Sequence, residues 1–146
     1  QMWEPEHRSA IHADIPWYEA LDHPGAFQMG LVRRLFESRP YQKLAPSQKL
    51  VKSEPETGGK KIRAAVARDG SFAFIYSPDG KNFSIDNSTI SAPKIRKLWY
   101  NPRYGNAEIF EVSEEKGVQE YTPPTSGKGN DWVLILEDTS ANFPMP

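Results

Sequence analysis

The side chains in this chain that could do chemistry are carboxylates, three histidines and a late cluster of aromatic rings. Asp69, Asp79 and Asp86 sit in turn-forming strings, and Glu54, Glu56, Glu114 and Glu115 sit in charged, loop-like ones. Acid–base catalysis needs such groups to converge on one reacting atom. Carboxylates scattered over turns read instead as solvated. His7, His12 and His23 are spaced by five and eleven residues, which does not place two imidazoles on one helix face. With no cysteine in the chain, nothing completes a soft metal set. Gly58-Gly59-Lys60 lacks the strand–loop–helix setting of a phosphate loop, and no serine stands between glycines as in a nucleophile elbow. Asn82-Phe83-Ser84 and Asn87-Ser88-Thr89 fit the glycosylation sequon, which matters only in a eukaryotic secretory host. The reading assigns no catalytic residue, no metal site and no cofactor.

The aromatics remain. Trp99, Tyr100, Tyr104, Tyr121 and Trp132 fall in the C-terminal third. Flat ring faces suit stacking against sugar rings, so Trp99, Tyr100, Arg103 and Tyr104 are the candidate ligand-binding residues. Arg103 could lock a turn by donating to backbone carbonyls, or contact an acidic sugar. Alternation along a strand sends Trp99 and Tyr100 to opposite faces, so one of the two is expected in the core. Trp132 is expected to be buried.

The elements that must position these rings are strands and tight turns. Trp99 to Gly105 reads as a strand entering an Asn-Pro-Arg turn and leaving into a second strand, 107–112. Further strands are expected at 62–68, 72–76, 83–86, 95–100, 117–121 and 132–137, with a hairpin turn at Asp69-Gly70. The last of these is too continuously apolar for a surface edge. The residues from Leu44 to Gln48 read as a loop or short helical turn, and 49–61 as an exposed loop. Seven or eight short strands predict a mainly β protein, an antiparallel β-sandwich of immunoglobulin-like type. A helical segment precedes it. The first 15 residues read as an extended connector, a short helical turn is expected at Trp17, and a longer helix opens at Asp22-His23-Pro24. Phe27, Leu31 and Leu35, with Val32 and Phe36, form an apolar stripe that must find cover. Ser38-Arg39-Pro40 ends the helix.

Composition bounds the function. A chain of 146 residues holds one domain with a core. A net charge of −1 gives no basic footprint for nucleic acid. Mean hydropathy of −0.66 and the lack of a long apolar run argue against membrane insertion. Thirteen prolines and ten glycines suit a turn-rich β domain. The pattern at Gln1 reads as already under way, as in part of something larger.

Several strings together are similar to the C-terminal region of bacterial apiosidase-like glycoside hydrolases. They are 17–21 (Trp-Tyr-Glu-Ala-Leu), 24–29 (Pro-Gly-Ala-Phe-Gln-Met), 35–40 (Leu-Phe-Glu-Ser-Arg-Pro), Ala67-Arg68-Asp69, Tyr76 to Gly80, Trp99 to Arg103 and Asp131 to Leu134. In that family a (β/α)₈ catalytic barrel is followed by a small β-sandwich labelled "putative collagen-binding domain of a collagenase". The resemblance implies that residues 1–40 correspond to the barrel's exit connector and last helix, and 41–146 to the appended sandwich. The family's usual Trp-Tyr-Asp-Pro-Arg turn has Asn101 in place of Asp here.

What the resemblance implies is a non-catalytic accessory sandwich that packs on and stabilises a catalytic barrel of the same parent protein. Glycoside hydrolysis needs two carboxylates roughly 5–10 Å apart across the sugar, and in the family these belong to the barrel. The chain alone is then not an enzyme, while its parent is a glycoside hydrolase. The alternative is a carbohydrate-binding module using the Trp99–Tyr104 face on a polysaccharide, and after it a collagen-binding module. A secreted or periplasmic location is implied by the resemblance alone.

Overall fold

A computed structural model describes residues 16–53 and 57–146. The connector expected over the first 15 residues, His7, His12, Glu54 and Glu56 lie outside these. In chain order come α1 (Trp17–Ala20), α2 (Pro24–Glu37), β1 (Leu44–Pro46), β2 (Arg63–Ala67), β3 (Phe72–Ser77), β4 (Phe83–Asp86), β5 (Ile95–Asn101), β6 (Asn106–Ser113), β7 (Val118–Tyr121) and β8 (Trp132–Asp138). Six strands form one sheet in the order β1-β2-β3-β8-β5-β6, and β4 pairs with β7 in a second. Every strand pairing is antiparallel. The protein is a β-sandwich preceded by a short helical segment, as the strand pattern predicts.

The sandwich is lopsided, six strands against two, and this decides where the rings go. On the inner face, Ile75, Phe83, Ile85, Trp99, Tyr121, Trp132 and Leu134 pack between the sheets. On the outer face a second apolar cluster forms from Phe72, Phe74, Leu98, Tyr100, Val133 and Ile135, capped by Leu35 of α2 and by Phe143 of the C-terminal tail. The central strands β8 and β5 are therefore buried on both faces, which is why 132–136 reads as unbroken apolar sequence. The same double cover corrects one expectation. Trp99 and Tyr100 do point to opposite faces, yet both are core: Trp99 is 7% exposed and Tyr100 0%.

Two smaller differences follow from local chemistry. The segment Leu44–Pro46 is a strand rather than a loop, and Pro46 is tolerated because β1 lies at the sheet edge with no further strand to serve. A single 3₁₀ turn, Gln48–Leu50, follows it and drops Leu50 into the core. Helix α2 opens within the expected Asp22-His23-Pro24 string, with His23 as its N-cap and Pro24 at the first helical position.

Two ion pairs meet on one buried carboxylate of this body. Arg39 and Glu137 meet at 2.6 Å with neither side chain exposed, and Arg96 reaches the other Glu137 oxygen at 2.5 Å. Arg96 also donates to the Phe143 carbonyl at 2.6 Å, which ties the tail across the outer face. Burial lowers the pKa of Arg39, and the facing Glu137 carboxylate opposes that shift.

Candidate functional site

The turn that carries the candidate residues is built by Asn101. Its carbonyl accepts from the Gly105 N–H at 2.8 Å, and its side-chain oxygen accepts from the Arg103 N–H at 3.1 Å and from Arg103 Nε at 3.0 Å. An amide oxygen accepts these bonds as a carboxylate oxygen would. Arg103 then reaches across to the loop before β8. It donates to the Gly129 carbonyl at 2.7 Å and to Asn130 Oδ1 at 3.2 Å, and its guanidinium lies over the Trp132 ring at 5.1 Å. The arginine ties two loops together.

Gly105 closes the turn with φ +72, a backbone region that favours glycine. A Cβ there would stand 2.6 Å from Leu31 of α2. The turn is thus a seat for the helix. Arg34 donates to the Gly105 carbonyl at 2.9 Å, and the Tyr100 hydroxyl donates to the Leu31 carbonyl at 3.0 Å. Burial pushes the Tyr100 phenol upward. Of the four candidates, Trp99 and Tyr100 thus lie in the interior, Arg103 is half-buried among its loop partners, and Tyr104 stands 78% exposed. Arg103 and Tyr104 stand together at the surface; the Trp99 and Tyr100 rings are turned inward.

The helix is seated at one end only. Leu35 is buried and Phe36 packs edge-on against Phe74 at 5.7 Å, but Phe27 is 77% exposed and Met29, Leu21 and Tyr18 are also open. The apolar stripe therefore finds cover over its last turns and lacks it over its first. Between α2 and the sheet runs a largely apolar groove of about 1050 Å³, with Met29, Val32 and Phe36 on the helix side and Phe74, Tyr76 and Val133 as its floor. Arg103 and Asp131 stand at one end and Lys61 and Arg63 also line it. Tyr76 donates to Asp131 at 3.3 Å; burial, with the nearby carboxylate, raises its pKa. No motif in the sequence signals this groove, which depends on where α2 lands.

Among the described residues lining the groove, Asp131 is the one carboxylate, so they assemble no acid pair across it. Among the described residues no group of three or more His, Asp or Glu side chains is placed to hold a metal ion. No helix among them is long and apolar enough to cross a membrane.

Comparison with known proteins associates this antiparallel sandwich with glycoside hydrolases. Residues 45–137 match the family described as "Putative collagen-binding domain of a collagenase", and the chain belongs to that family. Among solved structures it is similar to a glycoside hydrolase at 26% identity, with a TM-score of 0.81 over 95% of this chain and 31% of that one. A glycoside hydrolase family 5 structure from Bacteroides vulgatus ATCC 8482 shares the fold at 23% identity, with a TM-score of 0.80 over 91% of this chain and 28% of that one. The chain spans about a third of the length of these structures. A search of curated proteins finds no match.

Proposed function

We propose that this chain is a non-catalytic accessory module, and that it packs on and stabilises the (β/α)₈ catalytic domain of a parent glycoside hydrolase. In this reading residues 1–40 form the exit connector and last helix of the barrel, and 41–146 form the appended sandwich. The carrying observation is the first half of α2: Phe27 stands exposed, and Met29, also exposed, lines an apolar groove, while the same helix is pinned to the β5–β6 turn farther along. Exposed apolar side chains next to an apolar groove are a surface prepared for burial. The solved glycoside hydrolases supply the rest of the argument, since more than two thirds of each lies outside the part matched here. The parent would act in a secreted or periplasmic setting.

Calorimetry on the full-length parent tests this. Phe27→Asp with Met29→Asp leaves the isolated module's melting unchanged, because both side chains are already wet. In the parent it is expected to split one joint melting transition into two. A single transition unaffected by the pair of substitutions contradicts the docking role.

A second reading has one observation in its favour. Tyr104 is open beside Arg103, so this corner could hold a polysaccharide as a carbohydrate-binding module. Titration of the chain with Tyr104→Ala as control decides it. The collagen-binding role in the family's description rests on that description alone.

A further inference from the structure

We propose that a hollow on the inner side of the edge strand β6, beside Lys97, binds a single neutral sugar ring. It lies on the opposite face of the large sheet from the α2 groove, so it stands or falls independently of the docking role. The hollow is about 190 Å³ and is lined by Lys97, Phe110, Glu111, Glu115, Gln119 and Tyr121, among others.

Two observations point to a ligand there. The first is a β-bulge. Lys97 pairs with Glu111 while Leu98 pairs with Ile109, so Phe110 is the extra residue. Bulges re-aim side chains. This one lays the Phe110 ring against Trp99, at 5.7 Å and 19°, on the same side of the strand as Glu111, and leaves Phe110 42% exposed. The second is Lys97 itself, whose side chain is 2% exposed. Its ammonium carries three donors, yet makes one hydrogen bond among the described residues, to Glu111 at 2.8 Å. Glu115 stands at 3.9 Å, too far for a second, and the Tyr121 ring lies at 5.6 Å. A buried ammonium is costly unless its donors are met, and an oxygen placed in the hollow meets one.

The ligand class follows from what lines the space. A pyranose offers a C–H face for the Phe110 ring, a hydroxyl oxygen to accept from Lys97, and hydroxyl hydrogens for Glu111, Glu115 and the Gln119 amide. Glu120 also lines the hollow and accepts from Asn82 at 3.3 Å. Three carboxylates against one lysine repel an anionic sugar, and a purely apolar ligand would leave the lysine donors unmet.

The test is a ¹H–¹⁵N titration of the 146-residue chain with methyl β-glucoside, methyl β-galactoside, methyl β-xyloside and methyl α-mannoside, with glucuronate as the anionic probe. At least one neutral probe is expected to shift the amides of Phe110, Glu111 and Gln119 saturably, with Kd on the order of 1 mM, and glucuronate is not. Phe110→Ala should weaken binding about tenfold through the lost ring contact. Glu115→Gln, on a side chain that is 60% exposed, should weaken it without risk to the fold, which keeps the test open if Phe110→Ala unfolds. No saturable shift from any neutral probe, equal binding of glucuronate, or unchanged affinity in the variants overturns the proposal.

Discussion

Arg39 and Glu137 lie 98 residues apart in the chain and meet through two hydrogen bonds, at 2.9 and 2.6 Å, to one carboxylate oxygen with no exposure to water. The other oxygen belongs to Arg96. One carboxylate thus joins the segment leaving α2, the central strand β8 and strand β5. Removing it strands two guanidinium groups, one of them fully buried. Glu137→Ala is expected to lower stability by about 3–5 kcal/mol, the range for breaking a buried pair. Arg39→Met, which removes a charge but keeps much of the volume, should leave Glu137 its Arg96 partner and cost less. Urea midpoints for the two variants check the order.

The seat of the helix can be probed by comparing two glycines. Gly105 and Gly117 both have positive φ, but a Cβ meets Leu31 at the first and nothing at the second. Alanine carries the backbone strain of about 1–3 kcal/mol at both. Only at Gly105 does overpacking against α2 add about a further 1–3 kcal/mol. Thermal melting of the two variants should therefore differ, with Gly105→Ala the lower.

Much of the β body was legible in the residues, and the limits of that reading have physical causes. Seven strand segments follow from apolar and β-branched or aromatic runs, one of them alternating at 83–86 and one continuous at 132–137, set off by turn residues such as Asp69-Gly70 and Asn101-Pro102. β1 escaped because three residues ending in Pro46 carry no period. The double cover of Trp99 and Tyr100 was missed, although the unbroken run at 132–136 signalled the same condition one strand away. Arg39, Glu137 and Lys97 look like ordinary surface charges in the sequence. Only long-range pairing reveals that they are buried, and no spacing rule reports a contact across 98 residues. The α2 groove is likewise a product of docking geometry.

Acid should test one turn. Asp69 accepts from Lys43 and from the Ser71 hydroxyl and N–H, and these bonds lower its pKa to about 2. The unfolded value is about 3.9. A carboxylate depressed in the fold contributes stability above its unfolded pKa and loses it as pH falls through the folded one. The window is therefore about pH 4 to pH 2. The side chain is partly solvated, so screening holds the contribution to about 0.5–1 kcal/mol. Asp69→Asn should be less stable than the native chain at pH 6, with the difference vanishing near pH 2.

Alkali should test Tyr121. Burial pushes its phenol up, against the opposing effect of its hydrogen bond to Asn87 at 2.8 Å. A group raised in the fold contributes fully below its unfolded pKa, about 10 for tyrosine, and loses that contribution as pH rises toward the folded value. Stability should decline above about pH 10 as the unfolded chain ionises. Tyr121→Phe should cost about 1 kcal/mol at neutral pH for the lost bond and flatten part of that decline. Unfolding free energy measured across pH gives both.

Amide exchange over residues 18–36 tests the docking account most directly, measured in this chain alone and in the parent containing the catalytic domain. The account predicts that the first turns of α2, around Phe27 and Met29, exchange fast in the isolated chain and gain strong protection in the parent, while β8 is unchanged. Equal exchange of those turns in both settings would contradict it.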